Sequence, residues 1–460
     1  MSPIPNTPAT NDQLTLRMAE WAASTHPADL PDDVTHQVRR SLIDYLAATI
    51  VGAAAEPAAI VRGYLADHDT SRTSTVIATD VRLSPPGTAL VNGTAAHAYE
   101  LDDGYTPGGG HPGCTVISAA LAAAESVPTD PDQLVRAIAL GYEVACRLGG
   151  ATHPAQWRRG FHNTPLFGTF GAATAVATIL DLDSTGYANA FGLAGSHAGG
   201  LLSYHDQGSD VKRYHAGKAA RDGVVCAELA DRGLTAPTNV LEGAHGYLNA
   251  FAGGEFDRDH LVGELGTTWR MTRTYHKPHA CCRHVHAAVD AALRIRDRES
   301  LDPATIESIT VETFSIAASY GNKDIRTALD AQMSLPYSVA AALVEGEVGM
   351  EQFTDSARSN ELLGSLCELT EIVVADDLEQ DYPANRPARV RIRAGGHEFT
   401  DAVAQPYGEP DNPMTDQDLD AKFRRLVTPI LGSERTEAID RAAWALNDIG
   451  ELFALIGGAP

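Results

Sequence analysis

The chain has 460 residues, 44% of them hydrophobic, with 21% charged residues and a formal net charge of −25. This length and apolar content exclude a disordered chain and allow two or three domains with sizeable cores. The acidic surface repels nucleic acids and anionic membranes, although a locally basic pocket for a small anion is compatible with it. We therefore expect neither a nucleic-acid partner nor a membrane partner.

The six cysteines form neither a C-x-x-C pair nor a regular framework, a pattern typical of the reducing cytoplasm. The first residues, MSPIPNTPATNDQLTL, are polar and lack the apolar core of a signal peptide. No apolar stretch is long enough to span a bilayer. These features predict a cytoplasmic protein in which residues 1 to about 12 form a flexible tail.

From about residue 13 to about 265, apolar residues recur at three- and four-residue spacing, which predicts Ala-rich helices. Further along, ESITVETFS and EIVVADD predict strands, and ARVRIRAGGHEFTDAVAQ predicts a hairpin that turns at Gly395-Gly396. After Pro406 the helical spacing returns, with Thr415 as an N-cap. The predicted fold is mainly α with an inserted α+β domain. Residues 1–268 and 406–460 form the large helical domain, and residues 269–405 form the smaller inserted domain.

The segment YELDDGYTPGGGHPGC places acidic side chains shortly before a histidine. GTAAHAYELDD predicts a helix that carries His97 and Glu100 on one face and ends at Gly104. TPGGG then predicts a mobile or tightly turned loop that delivers His111, and we expect the mobile form, which lets His111 swing against the substrate. A carboxylate beside a histidine fixes its tautomer and favours its charged form, so Asp102 or Asp103 with His111 is a candidate acid–base pair. The residues alone also allow a structural interpretation, in which Asp102 and Asp103 cap helices and His111 is an ordinary surface histidine.

Two further segments carry cationic or titratable side chains. In RRGFHNTPLFGTFGAA, His162 lies in a polar joint before a small-residue helix, where it has either a functional or a structural role. GSDVKRYHAGKAARDG concentrates five potential cations within ten residues: Lys212, Arg213, His215, Lys218 and Arg221. They predict either a solvated basic face or a wall that binds carboxylates near a helix start.

The segment YHKPHACCRHVHAAVDA crowds histidines and basic residues, and CCRHVHAAVDAALRIRDR predicts one helix. Its spacing matches neither H-E-x-x-H nor a zinc finger, and adjacent Cys281 and Cys282 form a poor chelate. The chain also lacks a P-loop, a G-x-G-x-x-G after a strand and a G-x-S-x-G elbow. We therefore predict that the protein has no metal and no organic cofactor.

Together these segments resemble the 2-methylcitrate dehydratase (MmgE/PrpD) family, which includes cis-aconitate decarboxylase and iminodisuccinate epimerase. The matching motifs are NGTAAHAYELDD with HPG, KRYHAGKAA, KPHACCRHVH and NPMTDQDLDAKF, in this order along nearly the whole chain. The resemblance implies a homodimer with a cofactor-free pocket between the helical domain and an α+β lid. Glu100 replaces an aspartate of the family pattern, Gly104 a threonine, and Gly113 a serine.

The resemblance implies a pocket formed by Glu100, His111, His162, Lys212, Lys277, Arg283, His286 and Tyr337, to which the residue analysis adds Asp102 and Asp103 as the acids beside His111. His111 and His162, with Asp103 and Tyr337, would carry the acid–base chemistry. The substrate would be bound by the remaining residues, namely Glu100, Asp102, Lys212, Lys277, Arg283 and His286. The implied reaction is dehydration or decarboxylation of a small di- or tricarboxylic acid. The alternatives are epimerisation of a carboxylate by the same two histidines and a non-catalytic binding protein on this fold.

Overall fold

The computed structural model describes residues 13–204 and 209–460, so the predicted tail of residues 1 to about 12 lies outside the described residues. The fold is mainly helical with an inserted α+β part, as the sequence predicts. The chain divides into two compact units. The helical unit contains the described residues through Ala98, together with Asp102–Tyr275 and Thr415–Pro460. The inserted unit contains Tyr99–Leu101 and His276–Met414.

The unit boundaries differ by several residues from those placed by sequence, which were 268/269 and 405/406. Backbone pairing explains both shifts. Thr274–Tyr275 pairs with Gly104–Tyr105 and so belongs to the helical unit. The His276 N–H donates to the carbonyl oxygen of Gly408, which keeps the residues after Pro406 in the inserted unit.

Among the described residues, the helical unit consists mainly of helices. Its helices are α1 Leu14–Ser24, α2 Asp32–Gly52, α3 Glu56–His68, α4 Pro85–Ala96, α5 Gly113–Ala124, α6 Pro131–Thr152, α7 Ala155–Arg158, α8 Asn163–Ile179, α9 Ser184–His197, α10 Val211–Asp231, α11 Tyr247–Ala252, α12 Arg258–Val262, α20 Asp416–Leu431, α21 Ser433–Ala445 and α22 Ile449–Ile456. Two short antiparallel pairs accompany them: β1 Ser74–Thr75 with β2 Arg82–Leu83, and β3 Gly104–Tyr105 with β4 Thr274–Tyr275.

Small residues let the central helices approach closely. Every residue of α8 is buried, and the helix packs against α5, α6 and α10. Between α4 and α10, a Cβ atom on Gly93 would lie 2.8 Å from the Cα atom of Gly217, so only glycine permits this approach. This packing fixes the ends of α4, α8 and α10 beside one another.

The last helices of the chain pack with the first ones. Thr415 caps α20 in a capping box with Asp418, as the sequence predicts for this N-cap. The buried Lys422 ammonium of α20 lies 2.6 Å from the carboxylate of Asp44 on α2. Because an unpaired buried charge is costly, this ion pair ties the C-terminal helices to the N-terminal part of the unit.

The inserted unit combines a four-stranded sheet with short helices. Its strands are β5 Ile306–Thr313, β6 Thr370–Val374, β7 Ala388–Ala394 and β8 His397–Val403, in the order β6-β5-β7-β8. Only the β5–β6 pair is parallel. Its helices are α13 His286–Glu299, α14 Ser315–Ala318, α15 Ala328–Gln332, α16 Leu335–Glu345, α17 Asp355–Arg358, α18 Glu361–Leu369 and α19 Asp376–Asp381.

The strand predictions for this unit are confirmed. Alternate residues of β5 are buried, with Val311 facing Val390 of β7 across the ladder. Gly395 and Gly396 both have positive φ and form the predicted two-residue turn. The helix predicted from Cys281 onward begins only at His286, after a 3-10 turn at Arg283–Val285.

Within the described ranges, no single helix has the length and apolar character needed to cross a membrane. Helices α2 and α3 meet that measure only as a pair, and they are bent by 80° where they join.

Candidate active site

The acidic segment after α4 is not helical, so the prediction of a helix that continues to Gly104 is wrong. Helix α4 ends at Ala96, with His97 as its C-cap. Glu100 has a positive φ of 55° and belongs to the inserted unit, whereas His97 belongs to the helical unit. Gly104 lies in strand β3 and does not cap a helix. The segment therefore presents its carboxylates individually and not along one helical face.

The glycine-rich loop before His111 is tightly turned. Thr106–Gly108 form a 3-10 turn and Gly109 has a positive φ of 58°. The N–H of Tyr105 donates to the carbonyl oxygen of Gly110 at 2.8 Å. A Cβ atom on Gly110 would lie 2.7 Å from the Phe167 ring. Of the two sequence alternatives, mobile or tightly turned, the structure shows the second, and the glycines serve close packing.

The imidazole of His111 is held by the acidic segment. Its Nδ1 lies 2.6 Å from the carbonyl oxygen of Asp103. Because a carbonyl oxygen only accepts, Nδ1 carries the hydrogen, and the neutral ring has its lone pair on Nε2. A carboxylate oxygen of Asp102 lies 3.5 Å from the same Nδ1. This geometry suits a base at Nε2 whose charged form is stabilised by Asp102.

The carboxyl group of Asp103 faces away from His111. It accepts from the backbone N–H of Gly113 at 3.1 Å and from the Tyr142 hydroxyl at 2.8 Å. Burial, followed by repulsion from Asp44, raises the pKa of Asp103 well above its usual range. The carbonyl group of Asp103 orients His111, while its carboxyl group supports the start of α5. The predicted catalytic role of this carboxyl stays a prediction.

His162 forms a pair with a second histidine, His215 of α10. The two Nδ1 atoms are 3.1 Å apart, and the Tyr204 ring lies edge-on to His162 at 5.1 Å between centroids. Burial, followed by repulsion from His215, lowers the pKa of His162 well below its usual range. Burial and Lys218 lower the pKa of His215 to about 4. Both rings are therefore neutral at physiological pH, which suits accepting a proton or a hydrogen bond.

Most of the predicted basic cluster is paired within the helical unit. Arg213 lies 2.6 Å from a carboxylate oxygen of Asp210. Lys218 and Arg221 lie 2.8 and 2.6 Å from the carboxylate of the buried Asp222. These three cations form ion pairs with carboxylates on or beside α10. The cluster is therefore neither a set of solvated surface cations nor a continuous surface of unpaired cations for binding carboxylates.

Lys212, like His215, is a member of this basic cluster that lies near other histidines. It is buried, and its charge contributes to the lowered pKa of His162. The centroid of the His97 ring lies 4.8 Å from the ring centroid of His111 and 6.2 Å from that of His162. We call His97, His111, His162 and His215 the histidine cluster. A cation beside neutral imidazoles is suited to holding a substrate carboxylate next to groups that move protons.

Three side chains of this region could hold a metal ion. The candidate ligand atoms of His97, Asp102 and Cys114 all lie within 4.8 Å of one another. However, Nδ1 of His97 is already 2.8 Å from the Asp102 carboxylate, and the Cys114 thiol donates to the carbonyl oxygen of His111. These contacts describe a hydrogen-bonded network, and the prediction that no metal is needed stays a prediction.

In the inserted unit, Glu100 and Lys277 form a buried ion pair. The Lys277 Nζ lies 3.4 Å from a carboxylate oxygen of Glu100, and both side chains are almost inaccessible to solvent. The predicted roles of both residues in substrate binding remain predictions. The pair explains how a carboxylate and an ammonium are tolerated in this interior.

Arg283 and His286 are occupied by groups of their own unit. The Arg283 guanidinium donates to the Glu409 carboxylate and to the carbonyl oxygens of Pro406 and Tyr407. It also lies 3.1 Å from Nδ1 of His286, whose Nε2 donates to the carbonyl oxygen of Cys281. Burial, followed by Arg283, lowers the pKa of His286 well below its usual range. These contacts suit structural roles, and the predicted substrate contacts of the two residues stay predictions.

Tyr337 also has an internal partner. Its hydroxyl donates to the carbonyl oxygen of Gln352 at 2.7 Å. Burial raises the pKa of this hydroxyl to about 12. Its predicted role as a proton donor stays a prediction.

Sequence reasoning did not place three members of this region in the site: His97, His215 and Tyr204. His215 follows Lys212 by three residues, so helical spacing could have identified their shared face. His97 was predicted to share a helix with Glu100, and Tyr204 follows a loop without a recognisable signal. The positions of His97 and Tyr204 in the site depend on contacts between segments that are distant in sequence.

Comparison with known proteins covers almost the whole chain. Residues 16–259 match the model of the MmgE/PrpD N-terminal domain, and residues 279–448 match the MmgE/PrpD C-terminal domain. A cis-aconitate decarboxylase-like protein of Aspergillus oryzae is 30% identical over 100% of both chains. The cis-aconitate decarboxylase of Aspergillus terreus is 25% identical, covering 96% of this chain and 95% of the relative. The human cis-aconitate decarboxylase is 27% identical, covering 93% and 90%.

Proposed function

Because this chain belongs to the MmgE/PrpD family, we propose that it is a cofactor-independent lyase that acts on a small di- or tricarboxylic acid. Decarboxylation is the favoured reaction, since the relatives named above are cis-aconitate decarboxylases or similar to them. The observation that carries the proposal is the orientation of His111. Its Nδ1 is fixed by the Asp103 carbonyl, so its Nε2 is the atom that exchanges a proton with substrate.

The proposed chemistry uses residues of the helical unit. In decarboxylation, the bond between a carbon and its carboxylate breaks, carbon dioxide leaves, and its electron pair stays on the substrate. The protonated Nε2 of His111 then supplies the proton that replaces carbon dioxide. Lys212 holds a remaining carboxylate, and the neutral His162 accepts a hydrogen bond from the substrate. In dehydration, His111 would instead remove a proton from the carbon adjacent to the hydroxyl-bearing carbon and return a proton to the hydroxyl, which leaves as water while the C–H electron pair forms the double bond.

One assay separates the candidate reactions. The purified protein is incubated with cis-aconitate, citrate, 2-methylcitrate and iminodisuccinate, and products are followed by carbon-13 NMR. Decarboxylation releases carbon dioxide, and dehydration lowers the mass of the substrate by one water. Epimerisation gives a product of the same mass as the substrate. No turnover of any acid would favour a binding protein and would contradict the proposal.

The first variant to test is His111→Ala. We expect kcat to fall by roughly 100-fold or more, the scale of general acid–base catalysis. The fold should persist, because His111 lies in a loop and not in the hydrophobic core. The control is His68→Ala, which changes an exposed histidine on α3. Near-normal turnover of a folded His111→Ala protein would contradict this role and leave His162 as the leading candidate.

The homodimer, the cytoplasmic location and the pocket between the two domains also stay predictions. They follow from the family resemblance and the composition, and no contact described above depends on them.

A further inference from the structure

His97 is a buried histidine that the proposed chemistry leaves unused. It caps the C-terminus of α4 and is inaccessible to solvent. Its Nδ1 lies 2.8 Å from Oδ2 of Asp102, and the same oxygen lies 3.5 Å from Nδ1 of His111. One carboxylate oxygen therefore lies between two imidazole rings, whose centroids are 4.8 Å apart.

The hydrogen positions follow from the acceptors. A carboxylate oxygen accepts, so the neutral His97 carries its hydrogen on Nδ1 and donates to Asp102. His111 donates from its own Nδ1 to the Asp103 carbonyl. When His111 takes up a proton at Nε2, the charge it gains is next to an Asp102 carboxylate that His97 already orients.

Packing alone does not explain a histidine at this position. Its Nε2 is buried and has no hydrogen-bond partner among the described residues. Leaving a polar atom in that state costs free energy, and an apolar side chain would fill the space without this cost. What a histidine offers here, and an apolar residue does not, is the Nδ1–H donor to Asp102.

We propose that His97 is a positioning residue, which holds the Asp102 carboxylate where it stabilises the protonated form of His111 during turnover. This inference rests on the proposed function, because it requires His111 to exchange a proton with the substrate. His97 acts through Asp102, so removal of either residue should affect the same step of the reaction.

The test compares His97→Ala, His97→Asn, Asp102→Asn and the double variant His97→Ala/Asp102→Asn. His97→Ala should lower kcat by about 10- to 100-fold with little change in KM, since a misplaced catalytic group loses rate on that scale. The Asn side chain places an amide N–H near the position of Nδ1, so His97→Asn should recover most of the activity. The double variant should be no slower than Asp102→Asn, because both changes break one linked arrangement.

Several outcomes would overturn the inference. Normal kcat in a folded His97→Ala protein, a change in KM alone, or losses that multiply in the double variant would each do so. Chelation supplies another test: if it abolishes wild-type activity and Zn²⁺ restores it, His97, Asp102 and Cys114 act as metal ligands instead. If the wild-type protein turns over no acid of the panel, the proposed function fails as well. Active wild-type protein with an unaffected His97→Ala variant overturns only the role of His97.

A second measurement does not depend on turnover. Proton NMR of the wild-type protein should show a downfield Nδ1 proton on His97, as expected for an imidazole bonded to a carboxylate. The resonance should disappear in His97→Ala and move in Asp102→Asn. A wild-type spectrum with the His97 hydrogen on Nε2 would contradict the arrangement directly.

Discussion

At the residue scale, the two adjacent aspartates of the acidic segment have different roles although they are neighbours in sequence. Asp102 directs its carboxylate to His97 and His111. Asp103 directs its carboxyl group to Tyr142 and the start of α5, and only its carbonyl oxygen reaches His111. A shared residue type therefore does not imply a shared role in proton transfer.

A pair of variants distinguishes structural from catalytic use of Asp103. Asp103→Asn keeps an oxygen that accepts from the Gly113 N–H. Its amide is neutral, as is the protonated form of Asp103 that burial favours by raising its pKa. We expect its kcat to remain within a few-fold of wild type. Asp103→Ala removes the acceptor of two buried donors and should lower the free energy of unfolding by about 1–3 kcal/mol. Chemical denaturation and steady-state kinetics provide both measurements. A folded Asp103→Asn protein with kcat reduced 100-fold would instead support the catalytic role predicted from sequence.

The ammonium of Lys212 is expected to act in binding more than in chemistry. Lys212→Ala should raise KM by roughly 10-fold or more with a smaller effect on kcat, the scale of one charged hydrogen bond. The matched control is Lys218→Ala on the same helix, because Lys218 is paired with Asp222 and should leave KM within about twofold of wild type. A large fall in kcat at unchanged KM for Lys212→Ala would indicate a chemical role.

At the element scale, the site of the helical unit is assembled from the ends of several helices. His97 follows α4, His111 precedes α5, and His162 precedes α8, while Lys212 and His215 lie in the first turns of α10. Side chains at the ends of helices lie on loops, and the rigid helices on either side hold these loops in place. The close contact between α4 and α10 at Gly93 and Gly217 keeps the end of α4 near the first turns of α10.

The loop before His111 offers a test of this assembly. Gly110→Ala should lower the free energy of unfolding by about 1–3 kcal/mol, because the added Cβ meets the buried Phe167 ring. It should also reduce activity, since Gly110 directly precedes His111. The control is Gly63→Ala on the exposed face of α3, where an added methyl group meets nothing and raises helix propensity. Unchanged stability of Gly110→Ala would show that the loop is mobile, which is the alternative that the sequence left open.

At the scale of the whole molecule, the neutral histidine pair links folding to pH. Native His215 has a pKa lowered to about 4, and the pKa of His162 is also lowered. Below about pH 6.5 the unfolded chain binds protons at these residues more readily than the native protein does. Their contribution to stability is therefore present above about pH 6.5 and is lost as the pH falls toward 4.

The His215→Asn variant isolates this effect. Between pH 6.5 and 4, its free energy of unfolding should fall less steeply than that of wild type, by up to about 1.4 kcal/mol per pH unit for one histidine. The difference between the two proteins is the quantity to measure, because the raised pKa of Asp103 acts in the opposite direction over part of this range. His68→Asn, at an exposed position, should follow wild type. Equal slopes for His215→Asn and wild type would contradict a neutral buried pair.

The fold class, the inserted position of the α+β part and the segments that carry the candidate site can be read from the sequence alone. Helical and strand periodicities, the Gly395-Gly396 turn and the Thr415 cap depend on neighbouring residues, so they can be read locally. The same holds for the motifs around His111, Lys212 and Arg283, whose order along the chain indicated the family that the domain models match.

Which of the candidate side chains face one another depends on tertiary packing and could not be read from the sequence. Glu409, whose carboxylate accepts from Arg283, lies 126 residues away from it in sequence. The contact between Lys422 and Asp44 likewise joins residues that are distant in sequence. His97 was visible in the sequence, but its place beside Asp102 and His111 depends on where α4 ends and how α10 packs against it. Hydrogen-bond direction and burial result from such long-range packing. They distinguish the carboxylate of Asp102, which contacts two histidines, from that of Asp103, which accepts hydrogen bonds at the start of a helix.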